Sequence, residues 1–254
     1  MRKLLATDLD GTLLKDNRIP KENCKSVYKL QKFKNLLVIS TGRPYNGIEI
    51  IKEEKDIAAN YYILLNGALI MDALGNKIYH KVIKKDIIRK IIDDIKEDEV
   101  QISLESGYLT YLLTDGVDVP YSNKKRVNDL DEINDELSLI SLYSPAKDIN
   151  EIESIKNSIN KKYGDSIIAY RNDIYIDVVP LGCSKGNALN HLVSREKMLE
   201  ENVYAIGDSW NDLSMFEVAK NSFTFHHVEN ELKKHVSHLV SSVAECIDKF
   251  IIGS

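Results

Sequence analysis

Short apolar runs that close on a polar residue recur along this chain. Leu4-Leu5-Ala6-Thr7 ends at Asp8, Leu36-Leu37-Val38-Ile39 at Ser40-Thr41, Tyr61 to Leu65 at Asn66-Gly67, and Val203 to Ile206 at Gly207-Asp208. Brief apolar stretches bounded by turn residues predict strands buried on both faces. Between the first runs the pattern turns helical, with Cys24, Val27 and Tyr28 at i, i+3 and i+4. Pro44 is placed to open a second helix reaching about Lys55, because the first helical position has no need of its N–H. Strand, helix, strand, helix, strand predicts a parallel sheet with right-handed crossovers.

From about Val82 the pattern changes. Ile87, Ile88, Ile91, Ile92 and Ile95 make one helix face, and Val100, Ile102 and Leu104 then alternate with Gln101, Ser103 and Glu105. That alternation predicts a strand with one solvated face, as in antiparallel sheets. Leu109 to Leu113 reads as another strand, Thr114 to Asp135 as a polar connection, and Leu137 to Tyr143 as a strand. Ile149, Ile152, Ile155 and Ile159 mark a helix, and Ile167 to Tyr170 with Ile174 to Val179 a hairpin turning at Arg171-Asn172-Asp173. After Pro180-Leu181-Gly182 the first texture returns: a helix from Ser184, its candidate N-cap, to about Lys197; the strand ending at Asp208; a helix to Lys220; a strand from Ser222 to Phe225; and a tail of helix, short strand and helix. The expected division is a core of residues 1–81 and 180–254 with an α+β block, 82–179, inserted in it. No internal repeat appears.

Composition narrows this picture. The 254 residues are 43% hydrophobic and 29% charged, with a net charge of -5, as in ordinary globular chains. Acidic and basic residues are mixed, so there is no basic footprint for nucleic acid. The three cysteines, Cys24, Cys183 and Cys246, show no metal spacing and suit a reducing compartment. No apolar run reaches membrane-spanning length and the N-terminus enters a strand at once, so the expected location is the cytoplasm, with no membrane partner.

Chemistry enters at Asp8-Leu9-Asp10-Gly11-Thr12. Asp-Gly between apolar runs is also a hairpin signal, and alone it does not separate a turn from a site. A parallel sheet, however, brings the carboxyl ends of its strands to one edge, where ligands bind, so Asp8, Thr41, Asn66 and Asp208 converge. Asp8 and Asp208 can offer carboxylate oxygens to Mg2+, with the backbone carbonyl of Asp10 as a third ligand. Asp8 can attack phosphorus, and Asp10 can protonate the leaving alcohol and then deprotonate water. Gly11 lets the backbone approach a ligand closely.

The constellation resembles the haloacid dehalogenase-like (HAD) superfamily, closest to its Cof-type subclass IIB sugar-phosphatase-like members. Asp8-Leu9-Asp10-Gly11-Thr12 matches the first family motif, Ser40-Thr41-Gly42-Arg43 the second, Ser184-Lys185-Gly186 the third, and Gly207-Asp208-x-x-Asn211-Asp212 the fourth. Asn66-Gly67-Ala68 matches a further Cof-type signature near the substrate. The resemblance implies a Rossmann-like α/β core with an inserted α+β cap. It also implies Asp8 as nucleophile, Asp10 as acid/base, Thr41 as a donor to the phosphoryl group and Lys185 as its countercharge. Asp208 would bind Mg2+, and Asp212 would orient Lys185 or the metal's water. Gly11, Gly42, Arg43, Asn66 and Asn211 are expected around the phosphate and substrate.

The expected activity is Mg2+-dependent hydrolysis of a small phosphorylated metabolite, a sugar phosphate first among them, by a monomer or small homo-oligomer. Two rivals stay open: a phosphomutase with a related core and cap, and a phosphometabolite-binding regulatory protein. The chain departs from the subclass after the fourth motif, reading Thr224-Phe225-His226-His227-Val228-Glu229-Asn230. Adjacent strand histidines point to opposite faces, so they are not expected to share a metal. Trp210 is expected to pack in the core, Cys183 to fill apolar space, and Tyr108, Tyr111, Tyr121 and Arg171 are candidates to face the substrate.

Overall fold

A computed structural model describes residues 1–53, 57–172 and 174–253. The strands in chain order are β1 (Leu4–Asp8), β2 (Leu36–Ser40), β3 (Tyr61–Leu64), β4 (Leu69–Asp72), β5 (Lys77–His80), β6 (Gln101–Glu105) and β7 (Thr110–Leu112). They continue with β8 (Lys124–Arg126), β9 (Leu139–Tyr143), β10 (Ile167–Asn172), β11 (Tyr175–Pro180), β12 (Val203–Ile206), β13 (Asn221–Phe225) and β14 (His238–Val240). They form an eight-stranded sheet ordered β14-β13-β12-β1-β2-β3-β4-β5 and a six-stranded sheet ordered β10-β11-β9-β6-β7-β8.

In the larger sheet β14 through β3 are parallel, as the apolar runs of β1, β2, β3 and β12 predict, and β4 and β5 add an antiparallel edge. Strand order reverses between β1 and β12, so the switch-point crevice opens beside Asp8 and Asp208. Leu5, Leu37 and Ile39 face helix α1 (Lys21–Lys32) and the C-terminal helical turns; Leu4, Ala6, Leu36 and Val38 face α5 (Lys185–Arg195) and α6 (Leu213–Val218).

The smaller sheet is antiparallel except for the β7–β8 pair. Its apolar face, including Ile102, Leu104, Ile140, Leu142, Ile176 and Val178, packs under α3 (Lys85–Ile95) and α4 (Ile149–Tyr163). A capping box between Asp148 and Glu151 starts α4 by satisfying otherwise orphaned N–H groups.

Three expectations need correction. The helix from Pro44 becomes a 3-10 turn, Tyr45–Gly47, followed by the short α2 (Glu49–Glu53); its expected end, 54–55, lies outside the described residues, as does Asp173 in the β10–β11 turn. Tertiary bonds override the local pattern here: the Tyr45 N–H donates to the Gly107 carbonyl at 2.8 Å, and Arg43 Nη1 donates to the Gly47 carbonyl at 2.9 Å. Tyr28 is 47% exposed, because the inward face of α1 runs through Asn23, Cys24, Val27 and Leu30. The stretch from Thr114 to Asp135 contains β8, whose three residues are all basic and exposed.

Phe223 is fully buried among Tyr204, His238 and Phe250, with ring centroids 5.0 to 6.4 Å away. Phe223→Ala is expected to lower stability by about 3–5 kcal/mol, measured as a shift in the urea midpoint.

Candidate active site

Five loops meet at the carboxyl edge of the larger sheet. Asp8 ends β1, and Gly11 follows at φ +78°, where a side chain is strained. A Cβ on Gly11 would lie 2.1 Å from Asp208 Oδ2, so only glycine lets the two loops touch. After β2, Thr41 is buried and accepts the Arg43 N–H at 3.1 Å, which leaves its own hydroxyl proton to donate elsewhere. After β3, Leu65, Asn66 and Gly67 all have positive φ, an arrangement held by Leu65 N–H on the Arg43 carbonyl and Asn66 N–H on the Thr41 carbonyl. Ser184 caps α5, accepting the Asn187 N–H at 3.0 Å, and so fixes Lys185 in the first turn.

Lys185 is 1% exposed, and its Nζ donates to Asp8 Oδ1 at 2.7 Å and Asp212 Oδ1 at 2.6 Å. Burial alone would lower its pKa, but Asp212 and Asp8 outweigh burial and raise it, so the ammonium form is held. Asp212 Oδ2 meanwhile accepts the backbone N–H groups of Asp208 and Ser209, which commits both its oxygens. Burial pushes the Asp8 carboxyl well above the usual range against the pull of Lys185, with Asp212 and Asp208 adding to the rise. Burial and the Asp212 charge likewise push Asp208 up to about 6, opposed by the Thr12 hydroxyl, which donates to Asp208 Oδ1 at 2.9 Å.

Carboxylate oxygens of Asp8, Asp208 and Asp212 lie within 4.8 Å of one another. An all-oxygen set suits a hard cation such as Mg2+ or Ca2+. Three carboxylates around one ammonium leave negative charge in excess, which a divalent ion would offset. With Asp212 held by Lys185 and two backbone groups, Asp8 and Asp208 are the better placed carboxylates. The Asp10 carboxylate is turned away: Arg43 grips it from Nε at 2.8 Å and Nη2 at 2.6 Å, so Asp10 has its backbone carbonyl to offer an ion.

These groups border a cavity of about 890 Å³ between the two sheets. Asp8, Asp10, Gly11, Thr41, Gly42, Arg43, Asp208 and Asn211 line it, whereas Lys185, Asp212 and Asn66 lie behind the wall. Asn66 is a bridge: its Nδ2 donates to Asp177 Oδ2 at 2.8 Å and its Oδ1 accepts from Asn211 Nδ2 at 3.2 Å. Of the residues proposed to face the substrate, Tyr121 and Arg171 line the cavity. Tyr108 instead packs edge-on against Tyr45, and the Tyr111 hydroxyl donates to Asp135 at 2.7 Å. Trp210 also lines the cavity, its indole N–H on Glu229 Oε2 at 2.9 Å, so core packing is only part of its role. Cys183 is buried among apolar side chains, as expected.

The smaller sheet supplies lining residues that the sequence reading missed. Gln101, Ser103 and Glu105 were expected to face water; they face the cavity, with Ser103 and Glu105 buried. Cross-strand register puts Ser103 beside Ser141 and Ser141 beside Asp177, and one row along sets Gln101 beside Tyr143 and Tyr143 beside Tyr175. The signal available was a lone aspartate inside the apolar run of β11: burial of such a group requires partners.

The family model for haloacid dehalogenase-like hydrolases matches residues 5–249. The 5-amino-6-(5-phospho-D-ribitylamino)uracil phosphatase YwtE of Bacillus subtilis is 26% identical, with 99% of each chain covered. A solved haloacid dehalogenase-like hydrolase of B. subtilis superposes with a TM-score of 0.86 at 21% identity, covering 98% of this chain and 100% of that one. A solved HAD subclass IIB sugar phosphatase gives 0.84 at 18% identity, with 98% of each chain covered. With the motif loops gathered at one sheet edge and the match running through nearly all of its length, the chain belongs to the family of haloacid dehalogenase-like hydrolases.

Proposed function

We infer that this hydrolase is a Mg2+-dependent phosphatase of small phosphorylated metabolites, sugar or polyol phosphates foremost, working through an aspartyl-phosphate on Asp8. The observation that carries this reading is the buried Lys185 between Asp8 and Asp212, with Asp208 alongside and the cavity opening past Thr41 and Asp10. The related phosphatases, one named for a phosphorylated ribityl compound and one for sugars, support the substrate class. The two sheets support residues 1–81 and 180–254 as catalytic core and 82–179 as a cap closing the cavity.

In the first step an Asp8 oxygen forms a bond to phosphorus as the ester oxygen leaves, and Asp10 gives that oxygen a proton. In the second, water attacks phosphorus, Asp10 takes its proton, and the bond to Asp8 breaks to release inorganic phosphate. Arg43 holds Asp10 against the mouth of the site, so each proton transfer exchanges one of the Arg43 bonds for the reacting oxygen. Lys185 favours the ionised form of Asp8 against the effect of burial and offsets phosphoryl charge; the Thr41 hydroxyl, which accepts the Arg43 N–H, keeps its own proton for a phosphoryl oxygen. Asp212 positions Lys185. The Asp8 and Asp208 carboxylates and the Asp10 carbonyl would hold Mg2+, which when bound supplies the charge that offsets repulsion between Asp8 and the phosphate.

Asp8→Asn is expected to cut phosphate release from p-nitrophenyl phosphate below about a thousandth of the parent rate with the fold retained by circular dichroism, since the nucleophile is lost while the amide still offers Lys185 an oxygen. A rate near the parent's would sink the mechanism. Asp10→Asn is expected to slow both steps by about 10²–10⁴-fold while phosphate still binds, checked by burst kinetics and calorimetry. Chelation with EDTA should abolish turnover and added Mg2+ restore it; full activity in EDTA would remove the metal. Product analysis should find free phosphate and no isomerised sugar phosphate, as a mutase would give.

A further inference from the structure

Two buried carboxyls and a buried amide oxygen line the cavity around the catalytic edge. Glu105 is 3% exposed and receives the Thr110 hydroxyl on Oε2 at 2.7 Å; Asp177 is 5% exposed and receives Asn66 at 2.8 Å, with Ser141 and Asn172 as further side-chain partners. Burial lifts both carboxyls above the usual range, and the Asp177 charge adds to the rise at Glu105. Across the cavity Asn211 is 5% exposed, and its Oδ1 is buried with no hydrogen-bond partner. A buried acceptor without a donor costs about 1–3 kcal/mol, so a ligand or water that supplies one is favoured.

The cations of the same wall are already spent. Among the described lysines and arginines, Arg43 and Arg171 line the cavity. Arg43 is doubly bonded to Asp10, while Arg171 pairs with Glu153 at 2.8 Å and Glu229 at 3.3 Å. His227, exposed at the rim, is stacked on Phe225. Beside the carboxyls, Tyr143 and Tyr175 stack at 4.8 Å, giving aromatic surface that accepts an apolar sugar face or a cation.

We propose that Glu105, Asp177 and Asn211 make this cavity selective for phosphomonoesters whose leaving group is rich in hydroxyl or ammonium donors, and turn away those bearing a second anion. Resting on the phosphatase reading above, the inference goes further by fixing the charge and hydrogen-bonding character of the leaving group. Hydroxyls or an ammonium meet Glu105, Asp177 and the Asn211 oxygen; a carboxylate or second phosphate meets them with no unpaired arginine to compensate. The volume of about 890 Å³ accommodates a hexose as well as the phosphoryl group.

The test compares glucose 6-phosphate and glucosamine 6-phosphate with 6-phosphogluconate and fructose 1,6-bisphosphate. Values of kcat/KM are measured on the full chain with Mg2+, and affinities on Asp8→Asn protein by calorimetry, which needs no turnover. The first pair is expected to exceed the second by at least about tenfold in both measures, the scale of one uncompensated like-charge contact. Equal or reversed order, or no binding of any of the four, overturns the proposal. Asp177→Asn and Glu105→Gln should each narrow the preference against 6-phosphogluconate about threefold or more, since each replaces a carboxyl acceptor by an amide that can also donate while keeping most of the shape; a preference unmoved by both overturns the assignment to these residues. If none of the four and no p-nitrophenyl phosphate is hydrolysed, the phosphatase reading fails, while the binding order still decides this one.

Discussion

A lysine with essentially no contact with water sits between two carboxylates in the floor of this protein, and most of the catalytic edge is arranged to make that tolerable. Taking an ammonium and two carboxylates out of water costs several kcal/mol per ion, recovered only when each keeps short, well-directed partners. Lys185 has Asp8 and Asp212; Asp212 has two backbone N–H groups besides; Ser184 locks the turn that delivers the lysine. Asp208 then adds a carboxylate with no second ammonium to match it, so the floor carries excess negative charge. Such a surplus is unfavourable for stability, and it is the charge that a divalent cation would offset under the proposed phosphatase mechanism.

The sheet makes this possible because it is parallel. Its strands end together, and the reversal of order between β1 and β12 leaves a gap beside Asp8 that no crossover covers. Motif residues from positions 8 to 212 therefore meet without the backbone having to distort, except after β3. There Leu65 and Asn66 take left-handed angles, held by bonds to the loop after β2. The strain falls where the second sheet touches the first, consistent with a junction that must hold one geometry.

Much of this was legible in the sequence, and the limits have physical causes. Unbroken apolar runs marked β1, β2, β3 and β12, and the polar residues that closed them identified the edge of the site. The β4–β5 edge hairpin went unassigned because its strands are only four residues long, β4 following β3 closely and β5 only partly buried, and β8 because three exposed basic residues carry no periodicity. The more instructive miss is β6. Alternation reveals that Gln101, Ser103 and Glu105 meet a polar environment, but a cavity wall and bulk water give the same period of two. Only the placement of one sheet over the other tells them apart. Likewise the turn after Arg43 obeyed a bond from the Tyr45 N–H to the carbonyl of Gly107, about sixty residues away in the loop between β6 and β7, which no local pattern encodes.

The Asn66 amide gives the two halves of the molecule a shared fate. One end of that amide holds Asp177 in the roof and the other holds Asn211, next to the residue that anchors the buried lysine. Were that first bond broken, a buried amide donor would be left unpaired. It is one of several ties between the two sheets, with the Tyr45 N–H on the Gly107 carbonyl and Arg171 on Glu229 as others, but the one whose loss would strand a buried donor beside the lysine.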